Sequence, residues 1–409
     1  MIGGSDSRGA KHRKEYSLGL VVTQVAVAVL LLVGAGLLLH SFERLIAVAP
    51  GFTPDHILIV DLPLSPNSRN KPNERIDFYE RVLQQTATLP GVRTAGASSL
   101  APVSGTGSAI YFNIRGRPPK NNQYSIANYR AVSTNYFAAL HIPLQQGRLF
   151  QETDRENHPA VVIINSTLAR TFFPSQSPLG QYMQIGGLPD DEVPWMEIVG
   201  VVGDVKQALG SDARAEFYIP YRQSDNLFPV QFMSLIVRAE SNPLALANSV
   251  QRLVHQIDPN QPVTKIRTME DHIADSVSEP RFRTVLLTLF AGIALALAGI
   301  GIFSVMAYTV AQRTREIGVR LALGASRGQI FSLTLDYTLR LTVIGLVLGM
   351  AAAFLLTRYV AAFLFQVQSC DLVTLTGTAI VIVLVAIAAS YVPARRATGI
   401  DPARALRQN

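Results

Sequence analysis

Apolar positions along this chain fall into two patterns. Four long runs carry no charge: Leu18 to Leu39, Thr284 to Gln312, Leu341 to Thr357 and Leu372 to Ala394. A helix rises about 1.5 Å per residue and the bilayer hydrocarbon is about 30 Å thick, so about twenty apolar residues cross it. The first, second and fourth runs predict spans at 18–39, 284–312 and 372–394, the last with Pro393 near its end. The third run is short. Its helix is expected to start earlier, covering 332–357 and carrying Asp336 and Arg340, which lie four apart and can pair on one helical face.

Between the first two runs the pattern is that of a folded domain, 42–283. His56 to Leu64, Ala160 to Ile164, Trp195 to Val205 and Phe232 to Val237 read as strands. Asn73 to Leu89 reads as an amphipathic helix, with Pro72 at its start and Pro90-Gly91 at its stop. Asn165 and Ser166 are candidate caps of a helix ending near Phe173-Pro174, and another helix follows Pro243, carrying Leu244, Leu246, Val250, Leu253, Val254 and Ile257 toward Asp258-Pro259. Together these predict a membrane protein with four transmembrane α-helices, one before and three after a large α+β domain.

Composition supports that division: the chain is 48% hydrophobic and 16% charged, with mean hydropathy +0.24. The net charge of +7 does not point to nucleic acid, because the basic residues gather beside the apolar runs. Cys370 is the one cysteine, which rules out an intramolecular disulfide and a cysteine-based zinc cage. Lys11, Arg13 and Lys14 before an apolar run could also open a signal peptide. The run, however, exceeds the usual core of about 7 to 15 residues, and no small-x-small cleavage site ends it. His40 to Arg44 reads instead as a helix emerging from the membrane.

Arginine and lysine in short flanks resist translocation, which orients the spans. Arg8, Lys11, Arg13 and Lys14 precede the first; Arg313, Arg315, Arg320 and Arg327 follow the second; Arg395, Arg396, Arg404 and Arg407 follow the fourth. The N-terminal flank 1–17, the loop 313–331 and the tail 395–409 are therefore expected in the cytoplasm. The 42–283 domain and the loop 358–371 are expected outside, in a multi-pass protein of the bacterial inner membrane with both termini inside.

The outer domain offers little chemistry. Asp154, Glu156 and His158 are expected to form a solvated loop, and Asp190, Asp191 and Glu192 lack the alternating spacing of a calcium loop. His255 reads as a surface or satisfied core residue. Ser104 to Ser108 lacks the Lys-Ser/Thr ending of a phosphate loop, and no nucleophile elbow or zincin motif occurs. No catalytic residue and no metal site is predicted. A membrane enzyme acting outside the cell is correspondingly disfavoured.

The most informative stretch is Gln312 to Arg327. Its arginines alone would only orient the helices. Ile317, Val319, Leu321, Ala322 and Leu323 are more apolar surface than a solvated loop needs, and Gly318 and Gly324 permit close approach or a sharp break. A short amphipathic element of this kind suits docking into a partner's groove.

Arg315-Glu316-Ile317-Gly318 followed by Arg320-x-Ala322-Leu323-Gly324-Ala325 resembles the motif between the second and third helices of the MacB/FtsX-like permeases, the mechanotransmission (type VII) class of ABC systems. Pro393-Ala394-Arg395-Arg396-Ala397 and Asp401-Pro402-x-x-Ala405-Leu406-Arg407 resemble that family's ending. The resemblance covers essentially the whole chain. It implies porter and sabre subdomains outside, a coupling element formed by Glu316, Gly318, Arg320, Gly324, Ala325 and Ser326, and a cytoplasmic ABC ATPase as partner. ATP and magnesium belong on that partner. This chain shows neither Gly-x-x-x-x-Gly-Lys-Ser/Thr nor Leu-Ser-Gly-Gly-Gln and is not expected to be an enzyme.

Further partners implied are a second permease unit, membrane lipids and a periplasmic adaptor. The segments Leu20 to Ala26 and Gly34 to Phe42 resemble the second half of duplicated family members, so the second unit is either a copy of this chain or a missing first half. The expected function is export or mechanotransmission driven by a separate ATPase. The alternative is a membrane receptor or regulator whose outer domain senses a ligand or controls a cell-wall enzyme.

Overall fold

In the computed structural model, which describes residues 6–64, 72–105, 107–117, 124–186, 193–224, 230–323, 326–360 and 371–398, the first apolar run lies within helix α1 (Asp6–Ile46). The helix extends well past the uncharged run at both ends, through His40 to Arg44 on the far side. The compact inserted unit accordingly runs Val48–Ser278, narrower than the 42–283 expected from composition.

The inserted unit has two lobes. Strand β1 (Ile57–Pro63), helix α2 (Pro72–Ala87) and strand β2 (Val92–Ser98) open the first. The chain then builds the second lobe: β3 (Ser108–Ile114), β4 (Ser125–Val132), α3 (Tyr136–Leu140), β5 (Leu144–Gly147), β6 (Val161–Asn165), α4 (Ser166–Phe172), β7 (Tyr182–Ile185), β8 (Trp195–Val202), β9 (Glu216–Pro220) and α5 (Tyr221–Ser224). It returns to the first lobe through β10 (Phe232–Ala239), a 3-10 turn (Pro243–Leu246), α6 (Ala247–Ile257), β11 (Lys265–Thr268) and α7 (Met269–Ser276).

In the first lobe the strand order is β11-β1-β10-β2 with every neighbour antiparallel. This is the split β-α-β arrangement, in which two crossover helices cover one face. Phe78, Tyr79 and Val82 of α2 and Val250 and Val254 of α6 bury against Leu58, Val60, Leu62, Leu235 and Val237. Pro72 is the first residue of α2, where its missing N–H is no loss.

In the second lobe the pairings β4-β3-β7-β8-β6-β9 return to β4 through a parallel ladder, Asn128↔Glu216 to Val132↔Pro220. Among the described residues this is a closed ring of six strands, with β5 paired outside it on β8. Phe112, Ile114, Val162, Ile164, Met183, Ile198 and Phe217 fill its interior. Closure removes the free strand edges that an open sheet would expose. Strand β6 lies between β8 and β9 and is buried along its whole length, with Val162 and Ile164 in the ring's core. Asn165 caps α4 as expected, its side chain accepting from Leu168 N at 2.9 Å. One register pair, Ser98↔Val132, joins β2 of the first lobe to β4 of the ring.

After α7 come α8 (Ser278–Gln312), α9 (Thr314–Ala322), α10 (Arg327–Val360) and α11 (Leu372–Thr398). Among the described residues, α1, α8, α10 and α11 are the four helices long and apolar enough to cross a membrane. They exceed the predicted spans. The 284 boundary falls inside α8, the 332 and 357 boundaries fall inside α10, and α11 runs through Pro393 to Thr398. Within α10, Asp336 and Arg340 pair at 2.8 Å, the i,i+4 pairing their spacing predicts.

The centre of this bundle is α1, whose most apolar window is 39% buried against 17–22% for the others. Val25, Ala28 and Val29 are fully buried in it. Gly345 and Gly349 of α10 sit directly on them: a Cβ at Gly349 would lie 2.6 Å from Val29 Cβ and 2.8 Å from Ala26 O, and one at Gly345 2.8 Å from Val25 Cβ. Small residues one turn apart let helix backbones approach closely in lipid, where dispersion and weak Cα–H contacts replace a hydrophobic driving force. Outside the bundle, Phe282, Leu289, Ile293, Val347, Phe354, Ile380 and Leu384 are all exposed. Such a surface suits hydrocarbon and would drive aggregation in water.

Candidate coupling site

Helix α9 is an almost unbroken continuation of α8. Arg313 N donates to Thr309 O (3.1 Å) and Ile317 N to Arg313 O (2.9 Å), so i to i−4 bonds cross the junction. The Thr314 hydroxyl donates back to Val310 O and Ala311 O, filling the last carbonyls of α8. A displacement of α8 is therefore carried into α9 through backbone bonds and not through a slack linker.

On α9, Glu316 and Arg320 form an exposed ion pair at 2.7 Å. An i,i+4 pair of this kind is worth about 0.3–0.5 kcal/mol and does little for stability. Val319 is 40% exposed, and Leu323, in the turn after the helix, is 82% exposed. Four residues apart, they present an apolar ridge beside the ion pair. A narrow cleft enclosing about 50 Å³ lies on the other side of Arg320, lined by Met306, Val310, Arg313, Ile317, Ile330 and Leu333 among others.

The predicted set divides accordingly. Glu316 and Arg320 come together, and Gly318 lies within α9. Ser326 serves a local purpose: its hydroxyl accepts from Gln329 N (3.3 Å) while its own N–H donates to Gln329 Oε1 (3.0 Å), a reciprocal cap on α10. Gly324 and Ala325 lie outside the described residues. Val319 and Leu323 are the side chains the predicted set left out. Their signal in the sequence is an apolar i,i+4 pair interleaved with charges.

Charged groups of the inserted domain are engaged in structure. Arg130 and Glu216 pair at 2.5 Å with 1% exposure each, Tyr218 Oη donates to Glu216 Oε2 at 3.0 Å, and Arg130 also donates to Leu100 O and Ala101 O. Burial opposes the Arg130 charge, but the Glu216 carboxylate and neighbouring phenols outweigh it and hold the guanidinium protonated. Burial likewise raises the Tyr218 phenol well above its ordinary value.

Asp154 differs from the solvated loop expected. It is buried, takes both terminal nitrogens of Arg148 at 2.7 and 3.0 Å, and accepts Gln151 N at 2.8 Å. Glu156, His158 and His255 are exposed. Asp190, Asp191, Glu192 and Thr106 lie outside the described residues. Among the described residues no group of three His, Cys, Asp or Glu could hold a metal.

Known proteins match this architecture along nearly its whole length. The sequence model of the MacB-like periplasmic core domain matches residues 16–253, and that of the FtsX-like permease C-terminal region matches residues 288–402. The chain belongs to the MacB/FtsX-like permease family. Among relatives, the pyoverdine export ATP-binding/permease protein PvdT of Pseudomonas syringae pv. syringae (strain B728a) is 27% identical over 405 residues, covering 95% of this chain and 56% of PvdT. The uncharacterized ABC transporter permease YknZ of Bacillus subtilis (strain 168) is 26% identical over 398 residues, 95% of this chain and 93% of YknZ.

This permease chain thus spans little more than half of PvdT and nearly all of YknZ. Among solved structures, the periplasmic region of MacB from Actinobacillus actinomycetemcomitans aligns with 16% identity and a TM-score of 0.38, over 59% of this chain and 98% of that one. The inserted unit of two lobes is the family's periplasmic core domain, and the helices after it form the FtsX-like permease region. The protein is a multi-pass membrane permease of the ABC class.

Proposed function

We propose that this chain is the permease subunit of an export or mechanotransmission system in which a separate cytoplasmic ABC ATPase docks on α9. In this reading α9 faces the cytoplasm, the termini lie on the same side, and the core domain lies outside the inner membrane. Docking on α9 turns nucleotide-driven movement of the ATPase into displacement of α8, the helix that follows α7 of the core domain. ATP and magnesium are bound by the ATPase, and the working unit contains two permease units.

One observation carries the reading: an exposed apolar ridge, Val319 and Leu323, on a helix continuous with a membrane span. Val319 at 40% and Leu323 at 82% exposure leave an apolar surface that a docking partner would cover. The names of the relatives add support, since PvdT is named an ATP-binding/permease protein and YknZ an ABC transporter permease. Export is the activity in the name of PvdT, and the cargo of this chain is proposed only as far as that class.

The test is co-purification of a cytoplasmic ABC ATPase with the full chain. Val319→Asp/Leu323→Asp is expected to insert normally and to hold the ATPase roughly thirty-fold more weakly, the loss typical of two interface anchors. Unchanged capture by this variant would leave α9 as an orientation signal only. That outcome would favour a receptor or regulator instead.

A further inference from the structure

The cleft beside α9 has a chemistry of its own. Its floor is apolar, from Met306 and Val310 of α8, Ile317 of α9, and Ile330 and Leu333 of α10, with Met306 and Ile330 buried. Two guanidinium groups, Arg313 and Arg320, stand on its walls with Glu316. Glu316 is committed to Arg320 at 2.7 Å. Arg313 is exposed and, among the described residues, has no acidic partner. One positive charge therefore stands uncompensated over an apolar slot at the end of two membrane-spanning helices.

We infer that this cleft binds an anionic phospholipid of the cytoplasmic leaflet, its phosphate on Arg313 and Arg320 and part of an acyl chain along Met306, Val310 and Leu333. The inference rests on the cytoplasmic placement of α9 proposed above. Charge complementarity favours this occupant: a basic mouth over apolar walls between helices matches an anionic headgroup with a chain beneath it. The lining also belongs to the membrane, since Met306, Thr309 and Val310 lie in the uncharged run of α8. An apolar side chain of a protein partner fits less well. The ridge offered to the ATPase, Val319 and Leu323, lies about a quarter turn away on α9 and is not part of the lining. A lipid seated there would brace α9 against α8 and α10.

The experiment uses the single tryptophan of the chain, Trp195, which lies in the core domain. The full-length Trp195→Phe/Leu333→Trp protein places one fluorophore at the cleft. It is reconstituted in phosphatidylcholine vesicles that contain either brominated phosphatidylglycerol or brominated phosphatidylcholine at equal mole fraction. One uncompensated arginine near the surface is worth roughly a five-fold preference. Quenching is therefore expected to show about five-fold stronger association of phosphatidylglycerol, falling to near parity when Arg313→Gln is added.

Val319→Asp/Leu323→Asp, which removes the proposed ATPase contact, is expected to leave this preference intact. Loss of docking and loss of lipid binding are thereby read separately. Equal quenching by the two lipids, or a preference that survives Arg313→Gln/Arg320→Gln, overturns the inference and leaves the cleft to a side chain of a protein partner.

Discussion

At Gly349 the distance between two helices is set by the absence of one carbon. Valine there would place its Cβ within 2.6 Å of Val29 and force α10 off α1. Overpacking of this kind costs about 1–3 kcal/mol. Gly349→Val is expected to lower the unfolding temperature in detergent, whereas Gly292→Ala, with nothing within 4 Å, is expected to leave it unchanged or raise it slightly. His272 supplies a second residue-level prediction. Its Nε2 donates to Pro102 O at 2.7 Å, and Nδ1 is buried with no partner among the described residues. Burial is the main cause that lowers its pKa, with Arg267 adding to the effect. The unfolded chain therefore takes up a proton more readily as pH falls below about 6.5. Core-domain stability is expected to be flat above that pH and to decline below it. Urea unfolding followed by Trp195 fluorescence at pH 7.5 and 5.5 checks this, and His272→Gln is expected to reduce the difference.

Elements with local, periodic signals were legible in the sequence: β1, β6, β8, β10, α2, α4 and α6 all stand where their patterns put them, within a few residues. Others were not, and the reason is physical. Residues 144–147 of β5 are exposed throughout and carry no apolar alternation. The buried part of strand β2, Ala95 to Ser98, is made of small residues, with Gly96 lying close against Tyr136 of α3, and the β4–β9 ladder that closes the ring joins residues far apart in the chain. At the coupling site the charged and glycine positions could be read from motif resemblance. Val319 and Leu323 already stood out in the sequence as excess apolar residues, but their exposure as one ridge, and the use of Ser326 as a helix cap, became visible only with side-chain placement. Each lobe has its own buried core, so the Val48–Ser278 unit alone is expected to unfold cooperatively in denaturant, its two lobes melting together or in two steps. A broad transition without cooperativity would contradict that division.

At the scale of the whole molecule, the proposed orientation puts α9 and both termini inside and the core domain outside. Basic flanks set that orientation. With Cys370 replaced, a cysteine probe at Asn121 is expected to react with an impermeant reagent added outside, and one at Ser326 is expected to be spared; the reverse pattern would contradict the proposed orientation. Coupling itself is the central claim, and hydrolysis reports it most directly. In proteoliposomes holding the full chain and its cytoplasmic ABC ATPase, the rate of ATP hydrolysis is measured for wild type and for Val319→Asp/Leu323→Asp. The account predicts stimulation by the wild-type chain and a fall to the rate of the ATPase alone with the variant, at equal insertion. Undiminished stimulation by the variant would contradict it.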